Sequence, residues 1–137
     1  MRHSLAHICI LTRDLEATGA FYCNALGMKR KFNFFKDGDL YGFYLEMSDG
    51  NYIEAFRDDA VGDRVSGPFL HLCLETDDIE ASRQQLMAAG VAVSEIKKGC
   101  DNTFQIWFKD PNGLDIELHQ YTARSSQRTG VDCIADW

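Results

Sequence analysis

The chain carries one sequence pattern twice, so any fold it adopts must give both copies equivalent surroundings. Leu5-Ala6-His7-Ile8-Cys9-Ile10-Leu11-Thr12 recurs in register as Phe69-Leu70-His71-Leu72-Cys73-Leu74-Glu75-Thr76. Each copy runs into an acidic turn and a helix opening, Asp14-Leu15-Glu16-Ala17-Thr18 and Asp78-Ile79-Glu80-Ala81-Ser82. The ends also match, Tyr52-Ile53-Glu54-Ala55 against Asp115-Ile116-Glu117-Leu118, but one residue closer together, which reads as a change of loop length. Self-similarity at a fixed spacing marks a repeated structural unit. The expected units are residues 1–62 and 69–121, followed by a tail at 122–137, within one domain overall.

Each copy has the same order of elements. Residues 5–11 and 69–75 alternate as strands do. Over 15–26 the residues Leu15, Thr18, Tyr22 and Leu26 share a helical face, and Gly27 stops the helix. Ile79, Ser82, Leu86 and Ala89 do the same over 79–89, before Gly90. Strands are expected at 29–35, 40–47 and 52–56, and again at 91–97, 103–109 and 114–119. Turns at Lys36-Asp37-Gly38-Asp39, Ser48-Asp49-Gly50-Asn51, Gly99-Cys100-Asp101-Asn102 and Asp110-Pro111-Asn112-Gly113 separate them. The fold class is α+β, two tandem βαβββ modules whose curved mixed sheets surround a metal site.

Composition narrows the partners. A formal charge of −7 lacks the basic footprint that nucleic acids and anionic membranes require. No apolar run approaches the roughly 20 residues that span a bilayer. Arg13-Asp14 closes the apolar N-terminal stretch too early for a signal peptide. Five cysteines, an odd number without C-x-x-C spacing, suit a reducing cytoplasm, and three in apolar patterns read as small buried hydrophobes.

Strand alternation then picks out the residues that do not belong in a core. Ala6, Ile8 and Ile10 face one way and His7 the other, with Cys9; Leu70, Leu72 and Leu74 likewise oppose His71 and Cys73. Ile53 and Ala55 oppose Glu54, while Leu114, Ile116 and Leu118 oppose Asp115, Glu117 and His119. His7, Glu54, His71 and Glu117 therefore share the face away from the helices, among Phe32, Phe34, Phe43, Tyr52 and Trp107. A lone histidine or glutamate on a strand is ordinarily a structural residue. Duplication changes that, because it supplies one imidazole and one carboxylate per module at equivalent positions. Two of each suit a divalent first-row metal with two positions left open.

The run Asp14-Leu15 through Phe21-Tyr22 to Leu26-Gly27-Met28, with Asp110-Pro111-Asn112-Gly113 to Ile116-Glu117-Leu118, resembles the vicinal oxygen chelate superfamily. That superfamily includes glyoxalase I, methylmalonyl-CoA epimerase, extradiol dioxygenases, fosfomycin-resistance thiol transferases and bleomycin-resistance proteins. The resemblance covers residues 5–121 and implies one divalent metal per site (Ni, Co, Zn, Mn or Fe) that chelates a small-molecule substrate through vicinal oxygens. His7, Glu54, His71 and Glu117 match the ligand set of bacterial glyoxalase I, which isomerises the hemithioacetal of methylglyoxal and glutathione through an enediolate. By that resemblance Glu117 is the base, Glu54 its counterpart, and small members are homodimers that share sites between chains.

Two positions depart from that pattern. Leu11 stands where the bacterial enzymes carry a glutathione-binding arginine, and Asp58 where they carry an asparagine. Arg13, Arg57, Arg64 and Lys98 are the nearby cations that could take over. His3 reads as a terminal residue. His119 shares the inward face of Glu117, as a support to it or as a strand exit. The tail, with Arg124, Arg128, Val131, Ile134 and Trp137, is expected either to dock or to extend into solvent. Two other functions remain open. One is an Fe(II) extradiol-type dioxygenase, in which Glu54 is a bystander. The other is a drug- or metabolite-binding resistance module without turnover.

Overall fold

The computed structural model describes residues 5, 7–48, 50–60, 71–132 and 134. Ala6, Asp49, residues 69–70, Arg64, His3, Cys133 and Trp137, each given a part above, lie outside the described residues. The chain divides into two compact units, Met1–Val65 with Pro111–Gly113, and Ser66–Asp110 with Leu114–Trp137.

The first unit contains β1 (His7–Thr12), α1 (Leu15–Ala20) running on as a π-helical turn (Phe21–Ala25), β2 (Lys29–Lys36), β3 (Asp39–Ser48) and β4 (Asn51–Arg57). The second contains β5 (Leu72–Glu75), α2 (Ile79–Ala88), β6 (Lys97–Lys98), β7 (Phe104–Lys109), β8 (Asp115–Gln120) and the short α3 (Ser126–Thr129). Each forms a four-stranded mixed sheet, in the orders β1-β4-β3-β2 and β5-β8-β7-β6. The first strand of each module pairs parallel with its last, and the other neighbours are antiparallel. A parallel pair needs a long crossover, here the helix and the two strands that follow it.

The duplication extends to single hydrogen bonds. Asp14 caps α1 by accepting from the Ala17 N–H, and Asp78 caps α2 by accepting from the Ala81 N–H, both at 2.9 Å. The Thr12 and Thr18 hydroxyls meet at 2.8 Å, and Thr76 meets Ser82 at 2.7 Å. Each pair ties the strand end to the opening turn of its helix.

The change of spacing between the copies lies in the first helix and not in a loop. The Met28 N–H donates to the Tyr22 carbonyl at 3.0 Å, and the Val91 N–H donates to the Leu86 carbonyl at 3.0 Å. These two bonds close equivalent helix ends, but the first spans one residue more. The π-helical turn takes in that extra residue, since its wider i→i+5 ring holds more chain per turn. Gly27 and Gly90 then leave their helices with φ of +71° and +81°, a conformation costly for a residue with a Cβ.

Of the expected strand at 91–97 only the end, Lys97–Lys98, forms a regular ladder, although the Ser94 N–H also donates to the Trp107 carbonyl at 3.0 Å. At Ser94 a side chain takes the place of the ladder's other bond. Its hydroxyl accepts from the Trp107 N–H at 2.9 Å, while its carbonyl turns to accept from Arg83 Nε at 2.8 Å. The cores are the helix-facing sides of the sheets: Ile10, Tyr22, Phe43, Leu45, Ile53 and Ala55 in one unit, and Leu72, Ile79, Leu86, Ile106, Ile116 and Leu118 in the other. Each large apolar side chain so buried contributes about 1.5–3 kcal/mol.

The first part of the tail docks on its own unit. The Ser126 N–H donates to the Asp101 carbonyl, the Thr122 and Ser125 hydroxyls donate to the Asn102 carbonyl, and Gln127 Nε2 lies 2.6 Å from Asp101 Oδ2. Burial on its own would raise the Asp101 carboxyl, but hydrogen bonds from Gln127 and Thr103 outweigh it and hold the group below its ordinary value. A carboxyl held down in the folded state adds stability that is present above its unfolded value, near pH 4, and is lost as pH falls through the folded value. Urea denaturation should therefore show Asp101→Asn to be less stable than the parent at pH 7, by about 1 kcal/mol. The gap should close on acidification below about pH 4; a gap that stayed constant with pH would remove the carboxylate from this account.

Candidate metal centre

In the first unit, β1 lies beside β4 with Cys9 opposite Glu54, and β3 brings Tyr44 opposite Glu54 from the other side. The row Cys9–Glu54–Tyr44 thus crosses three strands on one face. His7, two residues before Cys9, projects from the same face. Its Nε2 lies 3.6 Å from Glu54 Oε2, and its Nδ1 lies 2.8 Å from the Tyr44 hydroxyl. Phe32 stacks on Tyr44 with ring centroids 4.7 Å apart, Tyr52 lies at 5.3 Å, and Phe34 packs on Phe56 at 4.9 Å. Phe43 does not belong to this face. Its register partner is Ala55, it is fully buried, and the Arg30 guanidinium covers its ring at 4.0 Å. Alternation along β3 puts Phe43 and Leu45 in the core and leaves Tyr44 for the site.

The second unit repeats the row as Cys73–Glu117–Trp107. His71 Nε2 lies 3.3 Å from Glu117 Oε2, and the His71 ring meets Trp107 edge-on at 4.9 Å. Trp107 occupies the place of Tyr44, and an indole has no lone pair to offer an imidazole N–H. That exchange accounts for His71 Nδ1, a buried atom without a hydrogen-bond partner among the described residues. His119 has no counterpart in the first unit. Its Nε2 lies 2.9 Å from Glu117 Oε1, and the two side chains are only 12% and 9% exposed.

The cysteines on this face are not the buried hydrophobes expected of them. Cys9 and Cys73 are exposed, and Cys23 and Cys100 half-buried. Desolvation of the thiol, and then the neighbouring Glu117 carboxylate, push Cys73 up to about 12. Cys9 is raised by desolvation and by Glu54. Both thiols are therefore protonated near neutrality, and each Sγ donates to the next residue's carbonyl, Ile10 at 4.0 Å and Leu74 at 3.8 Å. Cys73, Glu117 and His119 also offer ligand atoms within 4.8 Å of one another.

The histidine–glutamate pairs fit a cation better than a shared proton. Both spacings exceed the roughly 2.7–3.2 Å of an N–H···O bond. Two ligand atoms about 2.1 Å from one ion stand about 3.0 Å apart at a right angle and about 3.4 Å apart at a tetrahedral one, close to what each pair shows. The donors, imidazole nitrogen and carboxylate oxygen, are those that divalent first-row ions accept. Tyr44 can receive a proton from His7 Nδ1, which would direct the lone pair of Nε2 toward Glu54.

Of the cations considered for a substrate carboxylate, Arg13 and Arg57 both turn to Asp59, and Arg64 lies outside the described residues. Leu11 forms an apolar row with Phe56. Arg13 donates to the Asp59 carbonyl at 3.0 Å, and Arg57 pairs with the Asp59 side chain at 3.3 Å. Tyr44 is the neighbour of His7 that sequence reasoning missed, whereas His119, expected beside Glu117 as a support or as a strand exit, lies 2.9 Å from it. The signal for Tyr44 was present in its alternation with Phe43 and in its equivalence to Trp107.

The sequence pattern that defines the Glyoxalase/Bleomycin resistance protein/Dioxygenase superfamily matches residues 4–118. The uncharacterized protein YaeR of Escherichia coli (strain K12) is 28% identical over 120 residues, 83% of this chain and 93% of that one. Among solved structures, TnmS3, an antibiotic binding protein from Streptomyces sp. CB03234, matches with a TM-score of 0.72 and 22% identity, over 88% of this chain and 98% of that one. The lactoylglutathione lyase of Agrobacterium tumefaciens matches with a TM-score of 0.67 and 15% identity, over 87% and 94%. At these identities the two structures speak for the fold alone.

Replacing Tyr44 by Phe keeps the ring and removes the group that orients His7. Calorimetric titration of the metal-stripped protein with Co²⁺ should show affinity falling by about 10-fold or more. An unchanged affinity would detach Tyr44 from the site.

Proposed function

Because the chain belongs to the Glyoxalase/Bleomycin resistance protein/Dioxygenase superfamily, we propose that it is a metal-dependent lyase or isomerase of the glyoxalase I type. Its substrate is a hemithioacetal or a similar small molecule with two neighbouring oxygens. The observation that carries this reading is the repeated convergence of His Nε2 and Glu Oε2, at 3.6 Å in one module and 3.3 Å in the other. The ligands are His7, Glu54, His71 and Glu117, in a homodimer in which one chain contributes His7 and Glu54 and its partner contributes the other pair. Free thiols among the described cysteines are consistent with the cytoplasm as its location. No helix among the described residues is long and apolar enough to cross a membrane.

When bound, a divalent cation supplies the Lewis-acid charge that makes a carbon next to two oxygens acidic. The chain supplies the rest. A site carboxylate, Glu54 or Glu117, takes a proton from one carbon and returns it to its neighbour, so the reaction consumes no oxidant and no co-reactant. His7 and His71 remain ligands throughout, and the aromatic surface of Phe32, Tyr44 and Tyr52 limits water on the first module's side. With Leu11 apolar and Arg13 and Arg57 both engaged by Asp59, a glutathione carboxylate lacks the partner it has in the bacterial enzymes.

A second reading, capture of a drug or metabolite without turnover, is favoured by the stacked aromatic surface. A pure binder has no use for two imidazole–carboxylate pairs, which weighs against it.

The test is turnover of the methylglyoxal–glutathione hemithioacetal by stripped protein reloaded with Ni²⁺, Co²⁺, Mn²⁺ or Zn²⁺, beside Glu117→Gln. Metal-dependent product formation, lowered at least about 100-fold by the substitution, is the expected result. Metal-loaded protein without turnover of this substrate would remove the hemithioacetal. Tight ligand binding without any product would favour the second reading.

A further inference from the structure

The two modules are copies, yet they do not hold their carboxylates alike. Glu117 is gripped at both oxygens: Oε2 faces His71 Nε2 at 3.3 Å, and Oε1 lies 2.9 Å from His119 Nε2. The grip is buried, with His119 12% exposed and Glu117 9%. Glu54 faces His7 at 3.6 Å through Oε2 and is 17% exposed; a thiol stands opposite each glutamate, Cys9 and Cys73, and so does not distinguish them. The origin of the difference is one row of side chains. Beyond Glu117 the second sheet carries Glu75–His119–Gln105, whereas beyond Glu54 the first carries Leu11–Phe56–Gly42. Phe56 stands where His119 stands and has nothing to donate. Its ring fills the space above Gly42, where an added Cβ would lie 2.4 Å from Phe56 Cδ1.

From this asymmetry we infer that His119 is a positioning residue that makes Glu117 the fixed metal ligand and leaves Glu54 as the displaceable carboxylate that carries the proton. The inference rests on the metal-dependent reading above and reverses the roles that family resemblance alone would give the two glutamates. A carboxylate serving both as ligand and as base must swing or loosen to reach carbon, and a second oxygen held 2.9 Å from a buried imidazole nitrogen opposes that movement. Among the described residues Glu54 has no such second contact. In the reaction its carboxylate takes the proton from the substrate carbon, the electron pair spreads onto the neighbouring oxygens, and the same proton returns to the adjacent carbon.

The experiment measures Co²⁺ binding to stripped, folded protein by calorimetry and by the visible absorption of the bound ion, with hemithioacetal turnover alongside. Glu117→Gln should lose more than about 100-fold in Co²⁺ affinity, and His119→Phe roughly 10–100-fold with altered visible bands. His119→Gln keeps an N–H donor and should recover to within a few-fold of the parent, a rescue that a merely structural role would not give. Glu54→Gln should lose less than about 10-fold in affinity while losing turnover. Co²⁺ affinity equally weak in Glu54→Gln and Glu117→Gln overturns the inference, as do unchanged affinity and bands in His119→Phe. A parent protein that binds no Co²⁺ overturns it together with the metal reading. Should the affinities follow the expected order while the parent turns over no hemithioacetal, the division into fixed and displaceable ligands stands and only the reaction falls.

Discussion

The parallel pairing of the first and last strands in each module is the constraint from which the rest follows. It fixes Cys9 opposite Glu54 and Cys73 opposite Glu117, and so brings the histidine two residues earlier within reach of the same carboxylate. Because the partners are far apart in sequence, everything between them serves as a crossover that must return the chain to the correct row. A register slip of one residue would turn the glutamate into the core and an apolar neighbour onto the site face. The threonine and aspartate contacts at each helix opening secure this geometry from the other end of the first strand.

Much of this could be read from the residues. The repeat gave the two sheets and their element order, and strict alternation in β1, β4 and β8 separated His7, Glu54 and Glu117 from their apolar neighbours. Alternation failed as a guide where composition was used in its place: Phe43 was grouped with the site aromatics for being aromatic, although its position beside Tyr44 assigns it to the core. The strand expected at 91–97 keeps one backbone bond, Ser94 N–H to the Trp107 carbonyl, but the Ser94 hydroxyl accepts from the Trp107 N–H in place of a backbone carbonyl, which periodicity does not encode. That His119 stands beside Glu117 was legible, because both lie on β8 two residues apart on one face; the 2.9 Å approach of its Nε2 to Glu117 Oε1 was not, because alternation gives the face and not the rotamer.

Where the copies differ is as informative as where they agree. Tyr44 supplies a hydrogen-bond partner that Trp107 cannot, and His119 supplies one that Phe56 cannot. One module thus steadies its histidine from behind, and the other steadies its carboxylate. The superfamily fold tolerates such drift because neither exchange disturbs the backbone ladder that positions the row.

The π-helical turn at Phe21–Ala25 shows how the chain absorbs a change of length. The two copies must have parted company by one inserted or deleted codon after the gene doubled, and the mark of that event survives inside a helix. Had it fallen in a strand, one pleat would have been added and every later side chain inverted. In the helix, one turn widens, the same capping bond closes the end, and the following strand starts where it must. The first helix takes up this residue within its own turn, while β2 and β3 carry separate register shifts of their own.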